Sequence, residues 1–489
     1  MSQMSKLLPE ELWNERLFNG AWERPPVDVS PVVEPATGAV LGSVSMADSA
    51  TVAESARAAR IAQPAWYTTS YDERAATMRR AAELGEQHFA EIVDWIVRES
   101  GSTRVKAAFE ARVSIKALHE SAGLPGRSQG EVLPSQPGRL SLARRRPLGV
   151  VGVISPFNFP LYLAMRAVAP ALAVGNSVVL KPDPRTAVCG GLIIARLFEL
   201  AGVPKGVFHV LPGGGDAGAA LVAAPDVAMI QFTGSTPAGR KVGEAAGRHL
   251  KKVSLELGGK NSLIVLDDAD LDIAVANAAW GVYLHQGQIC MATGRILVQS
   301  GIYEAFLKRL IAKAKSLTVG NPAIESVALG PLINEQQRNH VNQVVQSATE
   351  AGAKLEVGGT FEQLFFKPTV LSGVGPDNPA FHQEIFGPVA VVVPFDSDDD
   401  AARLANDTDY GLSAGIISKN VGRALRLGER LKTGILHIND QTVNDEVVNP
   451  FGGVGASGNG TSIGGAANWE EFTQWQWMTI KDEAEAYPL

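Results

Sequence analysis

Only two cysteines, Cys189 and Cys290, occur among 489 residues, so no disulfide framework can hold this chain together. The eight histidines show no H-E-x-x-H motif or paired-ligand spacing, which leaves a catalytic metal without a visible home. Positive charge is short as well. The formal net charge is −7 and the densest basic run is Arg144, Arg145 and Arg146, which argues against a nucleic-acid surface. Uninterrupted apolar runs of membrane length are missing. Leu148 to Leu180 comes nearest, with Arg166 its single charge, but Pro156, Pro160, Pro170, Asn158 and Asn176 divide it into strand, turn and helix. The opening MSQMSKLLPEELWNE has no apolar export segment, so the expected location is the cytoplasm, with no membrane partner.

What is present is apolar content, 45% of residues, enough for two or three domains with buried cores. Residues 1–46 read as polar turns and short strands. Ser49 to Ser121 carries helical periodicity, and Gly123 to Pro147 shifts to Gly, Pro, Ser and Arg, the composition of an exposed arm that meets a partner subunit. From Val150 short β-branched runs alternate with helical segments: VVGVIS (150–155), SVVLKP (177–182), VFHVLP (207–212), VAMIQFTG (227–234) and KKVSLELG (251–258). Near-continuous apolar strands joined by helices predict an α/β fold with a parallel sheet covered on both faces, and such sheets bind ligands at the carboxyl ends of their strands. Asn158, Lys181, Gly213 to Gly215, Gly234, Ser235 and Glu256 gather at those ends.

Two glycine patterns bear on phosphate binding. GGGDAG (213–218) has G-x-G-x-x-G spacing but follows the third strand of the series, a weak signal. GSTPAGRK (234–241) has P-loop glycine spacing, yet Arg240 and Lys241 stand where Lys and Ser or Thr are required, so it is no triphosphatase loop. Its strand end followed by a helix N-terminus does suit a pyrophosphate.

The nucleophile candidate is Cys290, in LHQGQICMATGR (284–295), where small and polar neighbours let a thiol sit in a turn facing a cleft. Cys189, inside the apolar run TAVCGGLIIARLF, reads as an inert buried thiol. Glu256 can act as a general base, the Asn158 amide can hold a developing oxyanion, and the Lys181 ammonium can grip sugar hydroxyls. On spacing alone this constellation is one of several, and each member has an ordinary structural use: Asn158 satisfying a turn, Glu256 in an ion pair, Lys181 at a solvated strand end.

LELGGKN (255–261) followed by the cysteine of GQIC, with PFNFP (156–160), KP (181–182), FTGS (232–235), EIFGPV (384–389) and PFGG (450–453), resembles the NAD(P)-dependent aldehyde dehydrogenase superfamily. The motifs run in family order over nearly the whole chain. HQGQICMATGR, HINDQTVNDE (437–446) and GASGNG with EEFTQWQW are similar to its benzaldehyde and vanillin dehydrogenase branch.

The resemblance implies a variant Rossmann NAD(P)-binding domain from residues 1–124 and 147–258, a catalytic α/β domain from 259–455, and a small β oligomerisation element from 125–146 and 456–489, with subunits pairing as homodimers or dimers of dimers. It implies that Cys290 attacks an aromatic aldehyde, that Asn158 stabilises the alkoxide, and that Glu256 activates water on a thioester. Cofactor contacts fall by resemblance to Ile154, Ser155, Phe157, Lys181, Gly215, Gly234, Ser235, Gly239, Leu257, Glu384 and Phe386. The substrate pocket is expected from Phe159, Tyr162, Arg166, Leu284, Ile289, Met291 and Phe451. Three positions depart from the family pattern: Phe157 stands for the usual Trp, Pro184 for an acidic residue three positions after the lysine, and Ser462 for a glutamate. The loss at Pro184 leads to the expectation that NAD is used and NADP tolerated. Rival readings are an acyl transfer to coenzyme A, an aliphatic aldehyde dehydrogenase, and a non-catalytic protein on the same fold.

Overall fold

A computed structural model describes residues 6–488. Strands Val150–Ile154, Ser177–Lys181, Phe208–Val210, Met229–Thr233 and Lys252–Glu256 lie in one sheet and run parallel to their neighbours. The first two have every residue buried, as apolar strands covered on both faces should. Helices Pro160–Ala173, Ile193–Leu200, Gly215–Ala223 and Thr236–Arg248 make the crossovers. Short strands Leu17–Phe18 and Trp22–Glu23 extend one edge antiparallel.

Strand order decides where a ligand fits. The chain enters the sheet at Val150–Ile154, adds Ser177–Lys181 and Phe208–Val210 on one side, then returns to place Met229–Thr233 and Lys252–Glu256 on the other. The direction of winding therefore reverses between Val150–Ile154 and Met229–Thr233. At such a switch point the two loops leave in opposite directions and open a crevice beyond the strand ends.

Four helices, Ser49–Thr68, Tyr71–Gln87, Phe89–Ser100 and Arg104–Gly123, build the layer that the Ala-, Glu- and Arg-rich periodicity predicted. Asp48, Ser70 and Thr103 cap three of them by accepting from the third residue onward. Helix Arg104–Gly123 packs on Pro160–Ala173 and so reaches the crevice from below.

A second seven-stranded sheet has the order Lys354–Val357, Thr369–Ser372, Val389–Phe395, Thr293–Gln299, Asn261–Val265, Ser413–Ile417 and Ile435–Ile438, parallel except for its first pair. Only Leu257 to Lys260 separate its strand Asn261–Val265 from the end of Lys252–Glu256. The two sheets therefore meet at a seam with Glu256 on one side and the loop before Thr293 on the other.

Away from the seam, Arg139–Pro147 pairs antiparallel along its whole length with Thr473–Lys481, from Pro147 opposite Thr473 to Arg139 opposite Lys481. Gly130–Leu133 adds a third strand. Trp475 and Trp477 stand 51% and 70% exposed on this sheet, a large apolar area for a single chain to leave in water. Among the described residues no helix is long and apolar enough to cross a membrane.

Candidate active site

The loop that carries Cys290 is shaped by a local backbone choice that the sequence does not advertise. His285 and Gln286 both adopt left-handed conformations, φ 49° and 57°, followed by Gly287 at φ 69°. For non-glycine residues this costs on the order of 1–3 kcal/mol each, so the surroundings must hold it. Gln286 Nε2 donates to the carbonyls of Gly101 and Pro331 at 3.1 and 2.7 Å, and Gln288 Oε1 accepts from Ile333 N at 3.0 Å. A side chain at Gly287 would run into the Gly387 carbonyl, so this glycine brings the cysteine loop against the EIFGPV loop. Asn261 Nδ2 then ties the loop to the second sheet through the carbonyls of Cys290 and Ala292, each at 2.8 Å.

Two hollows meet at Cys290. One is a cleft of about 540 Å³ at the switch point, which Ile154, Ser155, Phe157, Gly234, Ser235 and Leu257 help to line together with Lys181, Glu384 and Phe386. The other is a cavity of about 220 Å³ lined by Phe159, Tyr162, Leu284, Ile289, Met291 and Phe451 among others. Cys290, Asn158 and Leu163 belong to both walls. The thiol is partly exposed, whereas Asn158 and Glu256 are each 3% exposed.

Charge at this junction is finely opposed. Burial, then the carboxylates of Glu384 and Glu256, push the Cys290 thiol up to about 12, while the Met291 N–H favours the thiolate. Burial also raises Glu256 well above the usual carboxylate range, against the pull of Arg166 and with the help of Asp445 and Glu471. Neither Glu256 oxygen has a hydrogen-bond partner among the described residues. Burial therefore works against the charged form of both groups, and the Glu256 carboxyl is committed to no structural hydrogen bond among the described residues.

The larger cleft suits a dinucleotide. Lys181 Nζ donates to the carbonyls of Pro182 and Gly213 at 3.0 and 2.9 Å, which leaves one N–H for a ligand. Burial holds this lysine down at about 8 and lifts Glu384 to about 7, while Glu384 Oε1 accepts from Gly259 N at 2.9 Å and its second oxygen stays free. Helix Thr236–Arg248 starts at the cleft with no side-chain cap, so its first N–H groups are available to an anion. Phe386, at φ 53°, presents its ring edge-on to Phe157 across the cleft, centroids 5.9 Å apart.

Three expected contacts lie elsewhere. Gly215 opens helix Gly215–Ala223 and does not line the cleft; Gly213 of the same run contributes only a carbonyl, to Lys181. Gly239 sits inside helix Thr236–Arg248 against Leu257, where any side chain would collide with that leucine, and does not line the cleft. Arg166 is not in the cavity wall. Its guanidinium, 4% exposed, pairs with Asp445, donates to the Ile463 carbonyl at 2.8 Å and lies 4.4 Å from the Phe451 ring centroid, behind that ring. A buried guanidinium needs such partners, and here they hold it behind the cavity wall, to which Asp445 itself belongs. Conversely, Phe109, Trp280 and the Asp440–Asp445 segment line the cavity without having been singled out. Long-range packing brings them there, and the resemblance of HINDQTVNDE to one branch of relatives was the only sequence signal available.

A thiol and an amide set where a dinucleotide-sized cleft opens into an apolar cavity have the layout of a coenzyme-linked oxidoreductase class that works through a covalent cysteine adduct. Residues 22–478 match the Aldehyde dehydrogenase family. The chain is 57% identical over 483 residues to a vanillin dehydrogenase of Amycolatopsis, covering 99% of both chains. It is 48% identical to the benzaldehyde dehydrogenase [NAD(+)] of Pseudomonas putida, covering 99% of this chain and 100% of that one. Among solved structures, betaine aldehyde dehydrogenase from Staphylococcus aureus in complex with NAD+ superimposes with a TM-score of 0.93 at 30% identity, over 99% of this chain and 98% of the other. The chain belongs to the aldehyde dehydrogenase family.

Proposed function

We propose that the protein oxidises aromatic aldehydes to carboxylic acids with NAD as the hydride acceptor. The observation that carries this reading is the position of Cys290 and Asn158 in both walls at once, so that one thiol can reach an aldehyde in the apolar cavity and a coenzyme in the cleft. The Cys290 thiol gives its proton to solvent water, the sulfur bonds the aldehyde carbon as the C=O π pair moves onto oxygen, and the Asn158 amide and the Cys290 N–H stabilise the negative charge there. Bound in the cleft, the oxidised nicotinamide supplies the hydride acceptor. Loss of hydride from the tetrahedral carbon leaves a thioester on Cys290. Glu256 takes a proton from water, the water oxygen bonds the acyl carbon, and the C–S bond breaks to release the acid and restore the thiol. Reduced-coenzyme absorbance with benzaldehyde, with and without coenzyme A, tests the reaction: turnover without coenzyme A supports it, and strict dependence on coenzyme A sinks it. The water-activating Glu256 favours hydrolysis over acyl transfer.

The cavity sets the substrate class. Phe109, Phe159, Tyr162, Trp280 and Phe451 offer ring faces and edges to a flat aromatic guest, and Arg166 braces the back of Phe451. Asp440, which shares this wall without an ion-pair partner among the described residues, disfavours a guest carrying its own carboxylate. Benzaldehyde and vanillin are expected to exceed hexanal in kcat/KM by about tenfold or more. A preference for hexanal would count against the aromatic reading.

Coenzyme choice turns on Lys181 to Arg185. Asp183, the carboxylate beside Pro184, accepts from Arg185 N, Nε and Nη2 at 3.0, 2.8 and 2.7 Å. Arg185 also lies over the Phe157 ring, 4.1 Å from its centroid. With Pro184 uncharged and Asp183 neutralised by its own neighbour, NADP is accepted alongside NAD. Replacing Pro184 with Glu is expected to widen the NAD preference by about tenfold or more in kcat/KM. A wild type that already discriminates about a thousandfold, together with a silent Pro184→Glu, would overturn this account.

The exposed tryptophan face of the three-stranded sheet supports pairing of subunits into homodimers or dimers of dimers. A working thiol that must stay reduced supports a cytoplasmic location.

A further inference from the structure

Lys106 and Glu110 lie one turn apart on helix Arg104–Gly123, 1% and 0% exposed, and form an ion pair. A buried pair of this kind adds little net stability over an apolar pair of the same size, so stability does not account for it. Their remaining polar capacity goes entirely to one short segment. Lys106 Nζ donates to the Asn158 carbonyl at 2.7 Å and sits 4.0 Å from the centroid of the Phe159 ring. Glu110 Oε1 accepts from Leu161 N at 2.8 Å and Tyr162 N at 3.3 Å, the first free N–H groups of helix Pro160–Ala173. That helix has no cap from its own N-cap residue, Phe159, so a carboxylate from another helix serves instead.

The Asn158 side chain shows the reverse pattern. It lines both hollows and makes no side-chain hydrogen bond to the protein among the described residues, so its backbone and the packing around it, without any polar tether, fix where the donor points. The backbone is what Lys106 holds. We propose that Lys106 and Glu110 are positioning residues for the oxyanion donor: the pair clamps the Asn158 carbonyl and the following helix start, and thereby aims the Asn158 amide at the oxygen of the substrate. The proposal rests on the assignment of Asn158 as that donor. A shift of about 1 Å at such a group can cost on the order of 10²-fold in rate, which is ample for a clamp on the backbone to matter.

The test is a mutant cycle. Lys106→Met/Glu110→Gln removes both charges together and leaves no unpaired buried ion. It is compared with Asn158→Ala and with the triple variant, reading kcat and KM for benzaldehyde, Kd for NAD by fluorescence titration, and Tm. Expected are a loss of at least about tenfold in kcat for the pair variant, about 10²–10³-fold for Asn158→Ala, and no further loss in the triple variant over Asn158→Ala alone, with NAD affinity unchanged. Multiplicative losses in the triple variant overturn the positioning role while leaving Asn158 as the donor. Full activity in Asn158→Ala overturns the donor assignment itself, and the proposal with it. An unaltered kcat in a folded pair variant is equally decisive against the clamp. Lys106→Leu/Glu110→Gln, which also removes both charges together and keeps an acceptor for the Leu161 N–H, runs the same cycle with a different apolar side chain, so one pair variant that does not fold leaves the question decidable.

Discussion

Cys290→Ala yields no measurable reduced coenzyme from benzaldehyde, a loss on the order of 10⁴-fold or more, while the protein still binds NAD and keeps its thermal transition. The expectation follows from the geometry of the junction: no other nucleophilic side chain lines both hollows. Cys189 offers the internal control. It is fully buried, its backbone N–H is held by Glu99 at 2.6 Å, and burial pushes its thiol well above the usual range, so Cys189→Ala retains most of the activity. Residual turnover of a tenth or more in Cys290→Ala would remove the thiol from the mechanism.

Glu256→Gln separates the two halves of the reaction. Acylation and hydride loss need the thiol and the Asn158 amide, so a rapid burst of reduced coenzyme equal to the enzyme concentration survives. Hydrolysis of the thioester needs a base, and steady-state turnover falls by about 10²–10⁴-fold. The sign of the pH dependence is set by burial: Glu256 is held protonated well above the ordinary carboxylate range, so the competent carboxylate grows as pH rises and wild-type deacylation speeds up with it. In the glutamine variant that rise is lost. Stopped-flow absorbance across pH reads both effects, and full steady-state activity in Glu256→Gln would sink the assignment.

Much of the scaffold was legible because its physics is local. Parallel strands buried on both faces leave continuous apolar runs, and Val150–Ile154, Ser177–Lys181, Met229–Thr233 and Lys252–Glu256 all fall within the runs named from sequence. Phe208–Val210 is shorter than the run VFHVLP, whose last residues turn away toward Gly213. What stayed hidden depends on direction. Asp183 points to Arg185, Arg166 points behind Phe451, and neither orientation has a signature in one chain. The left-handed turn at His285 and Gln286 was equally silent, since ordinary residues adopt it only under outside restraint, here from Gly101, Pro331 and Ile333. Glycine spacing misled at Gly215, where G-x-G-x-x-G describes a tight strand-to-helix turn whose only polar link to the cleft is the Gly213 carbonyl that accepts from Lys181.

The meeting of two separate hollows at one sulfur also governs traffic. The two hollows share only Cys290, Asn158 and Leu163 among the described residues, so an aldehyde in one and a coenzyme in the other need not pass each other, and the acid can depart without waiting for the reduced coenzyme to clear the way. The same layout marks out a single molecule that would occupy both openings: a flat aromatic head joined by a short linker to a nicotinamide-like group would lie across the sulfur and close both doors at once.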